Sequence, residues 1–229
     1  GEADGYYSDY AKNPITQLGR CLAEGFAFQN EPSQYRNGAR RGEPSKHLPP
    51  GAFVSFLQNH DQIGNRAFGD RIAESAPAAK IKAAMEILLL APQPPLLFMG
   101  EEFGARTPFL YFCDFHGDLA AAVTEGRRGE FQRFAKFSDP EVRAKIPDPN
   151  SESTFTGSKL DWSALKHSEH ESWLRFYRET LALRRSAIIP LLHEFIPGAG
   201  TFHTLEHSGL AVEWHLADGA SLKLSANLG

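Results

Sequence analysis

Apolar residues recur along this chain with helical spacing in three places. The first place follows Asn13-Pro14, where asparagine can cap a helix and proline fits its first turn. The second follows Ala76-Pro77 and ends at Pro92, and the third follows Ser168-Glu169-His170-Glu171, which has the form of a capping box. The apolar positions of these predicted helices are Ile15, Leu18, Leu22 and Phe26; Ile81, Ala84, Met85 and Leu88; and Trp173, Phe176, Tyr177 and Leu181.

Two short apolar runs, Ala52–Gln58 and Pro95–Gly100, flank the second helix and predict strands. A strand, a helix and a second strand in this order indicate a βαβ unit with a parallel sheet. Because neither run alternates with polar residues, we expect both faces of these strands to be covered. Residues 101–159 predict a long, mostly irregular segment with short helical pieces at 118–125 and 128–135.

Near the C-terminus the apolar period changes from helical to two. Asp218-Gly219 is a strong hairpin signal between two alternating runs. The alternating apolar residues are Leu210, Val212, Trp214 and Leu216 before the turn, and Leu222, Leu224 and Ala226 after it. The fold class predicted is therefore α/β over residues 1–195, followed by the start of an antiparallel β-domain over residues 196–229.

Composition and charge exclude several classes of protein. The 229 residues are 41% hydrophobic and 23% charged, with a net charge of −4, so we expect a globular chain with no partner among nucleic acids or anionic membranes. Cys21 and Cys113 are too few for a disulfide framework. No signal-peptide pattern follows Gly1, and the β pattern is still running at Gly229, so we expect both ends to lie within a longer protein.

The sharpest candidate site is the run Phe56–Arg66, in which an apolar strand leads into Asn59, His60 and Asp61. The second predicted strand leads into Glu101 and Glu102 in the same way. Because the C-terminal ends of parallel strands carry the active site in α/β barrels, these groups are expected on one face, suited to a polyhydroxylated or cationic ligand. The alternatives are an ordinary Asn/Asp turn at the first strand and a structural ion pair at the second.

Other polar and aromatic clusters carry weaker signals. The aromatic residues at 103, 109, 111, 112 and 115 suit either stacking on sugar rings or packing of the long loop. The basic stretch 29–50 is typical of a solvated loop rather than an anion site. Cys113–Asp118 and His167–His170 lack the spacing of zinc ligands, so no metal site is predicted. No phosphate-binding loop and no serine-hydrolase elbow is present.

The run F-L-Q-N-H-D-Q-I-G-N-R-A-F-G-D-R, which begins at Phe56, resembles a signature region of the α-amylase superfamily of glycoside hydrolases. In its extended form it resembles the maltooligosyltrehalose trehalohydrolase family. Gly51–Ser55, Leu97–Glu102 and Ser158–Trp162 are similar to the same family, and the likeness runs from Asp4 into the β-domain. It implies the last strands of a TIM (β/α)8 barrel, its closing helix and the start of a C-terminal β-domain.

The resemblance also implies a reaction and a set of roles. The family hydrolyses the α-1,4 bond next to the terminal trehalose of maltooligosyltrehalose, with retention, in cytoplasmic trehalose synthesis. Asp61 corresponds to the carboxylate that stabilises the transition state, and His60 to a sugar-binding histidine. The loop of Gln62, Ile63, Gly64 and Asn65 is expected to line the substrate pocket. The substrate is then maltooligosyltrehalose or a related α-glucan, and no cofactor is expected.

The chain departs from the family in one respect that bears on catalysis. The D-G-x-R-x-D segment that carries the family's nucleophile is absent, as is the strand with the general acid. We therefore expect this chain alone to be inactive and its parent protein to be the enzyme. Two alternatives remain open at this stage: another α-glucan hydrolase or branching enzyme of the superfamily, and a non-catalytic glucan-binding module.

Overall fold

A computed structural model of the chain describes residues 5–206 and 208–229, so Asp4 lies outside the described residues. Helices and strands are both present. The α-helices are α1 (Ser8–Ala11), α2 (Pro14–Glu24), α3 (His60–Gly64), α4 (Ala78–Leu90), α5 (Gly117–Glu130), α6 (Pro140–Ala144), α7 (Glu152–Gly157) and α8 (Ser168–Leu183). The strands are β1 (Glu31–Pro32), β2 (Arg40–Arg41), β3 (Thr201–Leu205), β4 (Gly209–His215) and β5 (Ser221–Asn227).

The chain divides into two compact units, each assembled from separate stretches of sequence. Unit 1 comprises the residues through Ser55, Lys82–Leu96 and the residues from Glu179 onward. Unit 2 comprises Phe56–Ile81 and Leu97–Arg178. This division differs from the predicted boundary between residues 195 and 196, because the C-terminal strands share a unit with earlier helices. The proposed domains 1–195 and 196–229 therefore stay a prediction about the longer protein.

Unit 1 contains the antiparallel sheet that the period of two predicts. Its strand order is β3-β4-β5. Leu210, Val212, Trp214 and Leu216 are all buried, and they share a hydrophobic cluster with Leu22 of α2. The indole Nε1 of Trp214 also donates a hydrogen bond to the Leu22 carbonyl at 2.9 Å. Gly219 has a φ of 87°, as the turn signal indicates. The first strand of the sheet, β3, was not predicted.

The two predicted parallel strands prove much smaller than expected. Among the described residues of the two runs, a single pair, Ser55 and Pro95, forms a parallel bridge. The Ser55 amide donates to the Pro94 carbonyl at 3.0 Å, and the Leu96 amide donates to the Ser55 carbonyl at 2.8 Å. The parallel direction is confirmed, but the expectation of covered faces is wrong, because Val54 is 59% exposed and Leu96 39% exposed. Packed helices cover the faces of a parallel sheet, whereas Val54 and Leu96 of the described chain lie open to solvent.

Within unit 1, a buried arginine holds the end of α4. Arg184 is 6% exposed, and its Nη1 donates to the carbonyls of Leu89 and Ala91 at 2.8 and 2.5 Å. Its Nη2 donates to the Gln93 carbonyl at 2.9 Å. The last carbonyls of a helix have no partner within the helix, so this guanidinium group supplies the missing donors.

Unit 2 is more helical than the sequence suggested. Residues 117–130 form one continuous helix, α5, where two short pieces in an irregular segment were predicted. The alanines at positions 120–122 favour this helix. Beyond its end, Phe131, Phe137 and Ile146 pack with Ala67 in a small core. The long segment is therefore a packed layer with its own hydrophobic centre.

The cysteines and the helix lengths bear on two further expectations. Cys21 and Cys113 are both free thiols. Within residues 5–206 and 208–229, no helix combines the length and apolar content that a membrane span requires.

Candidate functional site

The segment predicted as a site loop begins with a short, well-capped helix. Asn59 is the N-cap of α3, and its side chain accepts a hydrogen bond from the Gln62 amide at 3.1 Å. In return, the Gln62 side chain accepts one from the Asn59 amide at 3.1 Å. This is a capping box, and the sequence signal for it is the N-x-x-Q spacing. Gln62, predicted as a substrate-binding residue, thus uses its side-chain oxygen to start the helix.

His60 and Asp61 occupy the first turn of α3 and face solvent. Their side chains are 68% and 73% exposed, and His60 Nε2 lies 3.4 Å from Asp61 Oδ1. The Asp61 carbonyl is held within the backbone by the Asn65 amide at 2.9 Å. The helix therefore presents an imidazole and a carboxylate side by side, both open to a ligand with hydroxyl groups.

The remaining residues of the predicted pocket loop divide into exposed and buried ones. Asn65 is exposed, whereas Ile63 is 2% exposed and Gly64 is buried. A Cβ atom on Gly64 would lie 3.7 Å from the Phe109 ring, so this glycine packs against an aromatic side chain. Ile63 and Gly64 therefore anchor α3 in unit 2 and present no exposed side chain to a ligand.

Glu101 differs from the sequence expectation because it is buried. It is 6% exposed, and its carboxyl accepts hydrogen bonds from the Phe98 amide at 3.0 Å and from the Tyr177 hydroxyl at 3.4 Å. Gln58 also hydrogen-bonds to this carboxyl, while Gln58 Oε1 accepts from the Ile72 amide at 3.0 Å. Burial raises the pKa of Glu101 to about 7. Glu101 thus supports the residue that precedes the N-cap of α3.

A buried arginine accompanies Glu101. Arg71 is 1% exposed, and it donates from Nε to the Thr107 carbonyl at 2.6 Å and from Nη1 to the Met99 carbonyl at 2.8 Å. Burial lowers the pKa of Arg71, and its charge in turn opposes the rise in the pKa of Glu101. Glu102 beside them is half-buried. The structure therefore places Glu101 in a supporting network, and its role as a direct ligand contact stays a prediction.

A second buried arginine holds the other end of α3. Arg127 of α5 is 7% exposed, and its Nη2 donates to the carbonyls of Gly64 and Arg66 at 2.7 and 3.0 Å. Neither Arg71 nor Arg127 was singled out from the sequence. Arg127 lies among charged and glycine residues in the segment Glu125–Glu130, a composition that is typical of a solvated helix face. Nothing in the spacing of this segment indicates that Arg127 is buried.

The aromatic residues of the long segment also separate into two groups. Phe103 is buried, with its ring 5.6 Å from that of Trp162. Phe109, Phe112 and Phe155 form a row of edge-to-face contacts at 5.7 and 5.2 Å, in which the last two are exposed. Tyr111 and Phe115 are exposed as well. The described residues hold no group of three or more His, Cys, Asp or Glu side chains arranged for a metal ion.

Comparison with known proteins places this chain beside glycoside hydrolases. It is 40% identical over 194 residues to a malto-oligosyltrehalose trehalohydrolase from Deinococcus radiodurans, and 42% identical over 189 residues to one from Rhizobium sp.. These matches cover 84% and 81% of the chain, which spans only 31% and 30% of the relatives' own length. No family model matches the chain.

A solved structure shares the fold over the whole chain. The crystal structure of a candidate alpha amylase from Salmonella typhimurium matches with a TM-score of 0.92 and 47% identity. The match covers 100% of this chain and 38% of that protein. The likeness extends to both units, including the segment with His60 and Asp61.

Proposed function

Because this chain is homologous to part of the malto-oligosyltrehalose trehalohydrolases, we propose that it supplies one wall of the active site of such an enzyme. The parent protein hydrolyses the α-1,4 bond beside the terminal trehalose of maltooligosyltrehalose, with retention at the anomeric carbon. Within it, residues 1–195 complete the last strands of a (β/α)8 barrel and residues 196–229 begin a β-domain.

One observation carries this proposal at the level of the site. Asp61 is an exposed carboxylate on a helix whose two ends are fixed by buried groups. A preorganised negative charge favours the oxocarbenium-like state of a glycoside hydrolysis, and its oxygens accept hydrogen bonds from the ring hydroxyls. His60 beside it donates a hydrogen bond to the same sugar. Asn65, exposed one turn later, is the further substrate contact of this loop.

The other catalytic groups come from outside this chain. Retaining hydrolysis needs a carboxylate nucleophile and a carboxylic acid roughly 5 Å apart. The chain lacks the D-G-x-R-x-D segment in which the family carries the nucleophile. Asp61 does not replace it, because a carboxylate bound to ring hydroxyls is not directed at the anomeric carbon.

A second candidate is suggested by the structural neighbour, whose description is a candidate alpha amylase. The two activities differ in their products. The longer protein that contains this chain should release trehalose from maltooligosyltrehalose, with the α-anomer formed first at the new reducing end, and should act slowly on a plain maltooligosaccharide of equal length. Equal rates on both substrates, or chain transfer in place of hydrolysis, would contradict the proposal.

A further inference from the structure

The position of the Asp61 carboxylate depends on the backbone of α3. The Asp61 side chain is largely exposed and lies near His60, which is itself exposed. The helix that carries both residues is only five residues long. A helix of this length is not stable by itself, so the groups at its two ends must fix it.

The N-terminal end of α3 is fixed by local contacts. The capping box between Asn59 and Gln62 satisfies both backbone amides there. Gln58, the preceding residue, is tied to Glu101 and to the Ile72 amide. These contacts set where the helix begins, but they leave the direction of its far end to other groups.

At the C-terminal end of α3, the side chain of Arg127 adds hydrogen bonds to the packing of the buried Ile63 and Gly64. Its Nη2 bridges the carbonyls of Gly64 and Arg66, which belong to the end of α3 and the turn that follows. The Gly64 carbonyl lies at the negative end of the helix dipole, and a buried cation there is favourable. The guanidinium carbon lies 5.0 Å from the centre of the Tyr111 ring and 4.8 Å from that of Phe131. The aromatic contacts on two rings restrict how the guanidinium group can turn.

We propose that Arg127 is the positioning residue for Asp61: by holding two carbonyls at the C-terminal end of α3, it fixes the orientation of the catalytic carboxylate. This inference rests on the function proposed above. The planar guanidinium group is suited to the role, since one nitrogen reaches both carbonyls while the plane contacts aromatic rings. A carboxylate displaced by a fraction of an ångström still binds sugar hydroxyls but stabilises the transition state less.

The test uses the complete enzyme that contains this chain, with the variants Arg127→Met and Arg127→Lys. Arg128→Met is the matched control, because Arg128 is the next residue of α5 and donates to the Ile146 carbonyl instead. We expect Arg127→Met to lower kcat by about tenfold or more while KM changes by less than about threefold. Arg127→Lys, which retains the charge without the planar fork, should recover part of this loss. The control should retain kcat.

Amide hydrogen exchange gives a readout that does not depend on turnover. Arg127→Met should speed exchange at residues 61–66, while α8 and β4 keep the exchange of the wild-type protein. If Arg127→Met fails to fold, the same comparison is made with Arg127→Lys, which keeps the buried cation. Unchanged kcat, or a lowered kcat with unchanged exchange at residues 61–66, would overturn the proposal.

The variant Asp61→Asn, assayed in parallel, distinguishes a failure of the proposed function from a failure of the positioning role of Arg127. If it keeps full turnover, the proposed function fails whatever Arg127 does. If it loses turnover while Arg127→Met keeps it, only the positioning role fails.

Discussion

The substitution Glu101→Gln should make the stability of this protein less sensitive to pH. Glu101 is buried among Gln58, the Phe98 amide and Tyr177, with the charge of Arg71 nearby. Burial raises its pKa from an ordinary 4.5 to about 7, because the interior disfavours the charged carboxylate. Glutamine has the same shape and stays neutral at every pH, so it removes this one titration and leaves the packing in place.

The sign and size of the effect follow from the two pKa values. Between pH 4.5 and about 7 the folded protein keeps a proton that the unfolded chain has released, so the wild-type protein loses stability as pH rises through this window. The stabilisation is complete below pH 4.5 and gone above about pH 7. The change in pKa corresponds to about 3 kcal/mol in the free energy of unfolding.

The assay is urea unfolding at several pH values from 4.5 to 8, followed by tryptophan fluorescence. Trp162 and Trp173 lie in unit 2 with Glu101, so their emission reports on the relevant part of the chain. The quantity of interest is the free energy of unfolding of Glu101→Gln minus that of the wild-type protein, in which other titrating groups cancel. This difference should rise by about 3 kcal/mol across the range.

A control variant tests whether the pH dependence comes from Glu101 itself. Glu102→Gln removes the adjacent, half-buried carboxyl and leaves Glu101 in place, so it should retain the pH-dependent fall of the wild-type protein. Parallel pH profiles for Glu101→Gln and the wild-type protein would refute the reasoning. In that case the Glu101 carboxyl would be ionised in the folded protein much as it is in the unfolded chain.

Three further predictions concern other parts of the molecule. Gly219→Val should lower the free energy of unfolding of unit 1 by about 1–2 kcal/mol, because φ is 87° there, and Gly219→Asn should cost less; equal thermal shifts for both variants would contradict this. Arg184→Met should lower the free energy of urea unfolding by at least about 2 kcal/mol, because the carbonyls of residues 89, 91 and 93 lose this donor. The control variant Arg185→Met, at the exposed neighbouring residue, should lower it by about 0.5 kcal/mol or less. The chain of 229 residues, purified alone, should release no trehalose from maltooligosyltrehalose; turnover within about tenfold of the full-length enzyme would show that a nucleophile and an acid lie within it.

Periodicity located the elements that bury one face against a neighbour. The helices α2, α4 and α8 carry their apolar residues at helical spacing, and β4 alternates between buried and less buried positions from Leu210 to His215. In each case the residues that pack lie close together in sequence, so the pattern can be detected without knowing the fold. β3 was not predicted, because most of its residues are exposed and its burial shows no alternation that a sequence pattern could reflect.

The runs 52–58 and 95–100 failed as strands for a different reason. Their composition suits a strand that is covered on both faces, and composition alone does not report whether the covering elements are present. Here a single bridge, Ser55 to Pro95, joins them. The apolar residues therefore predicted the parallel direction of the pairing correctly. They overestimated the length of the pairing and the burial of the two runs.

At the candidate site, the sequence indicated the exposed residues better than the supporting ones. His60 and Asp61 follow an apolar run and match a family signature, so the sequence marks them as candidates. Arg71, Arg127 and Arg184 are buried and donate to backbone carbonyls that lie far away along the chain. Such partners have no sequence pattern, because any residue supplies a carbonyl. Glu101 was found, but its burial among Gln58 and Tyr177 depends on the tertiary fold.

The central claim is that this chain contributes the transition-state carboxylate of a trehalohydrolase, and the kcat of Asp61→Asn in the complete enzyme tests it most directly. Asparagine keeps hydrogen bonds to the sugar hydroxyls but not the negative charge, so kcat should fall by about 10²–10³, or about 3–4 kcal/mol, with little change in thermal stability or substrate binding. Asp114→Asn is the matched control, since Asp114 also lies exposed beside a histidine, His116, at 4.0 Å, but is not a residue of α3. Wild-type turnover in Asp61→Asn, or an equal loss in Asp114→Asn, would contradict the claim.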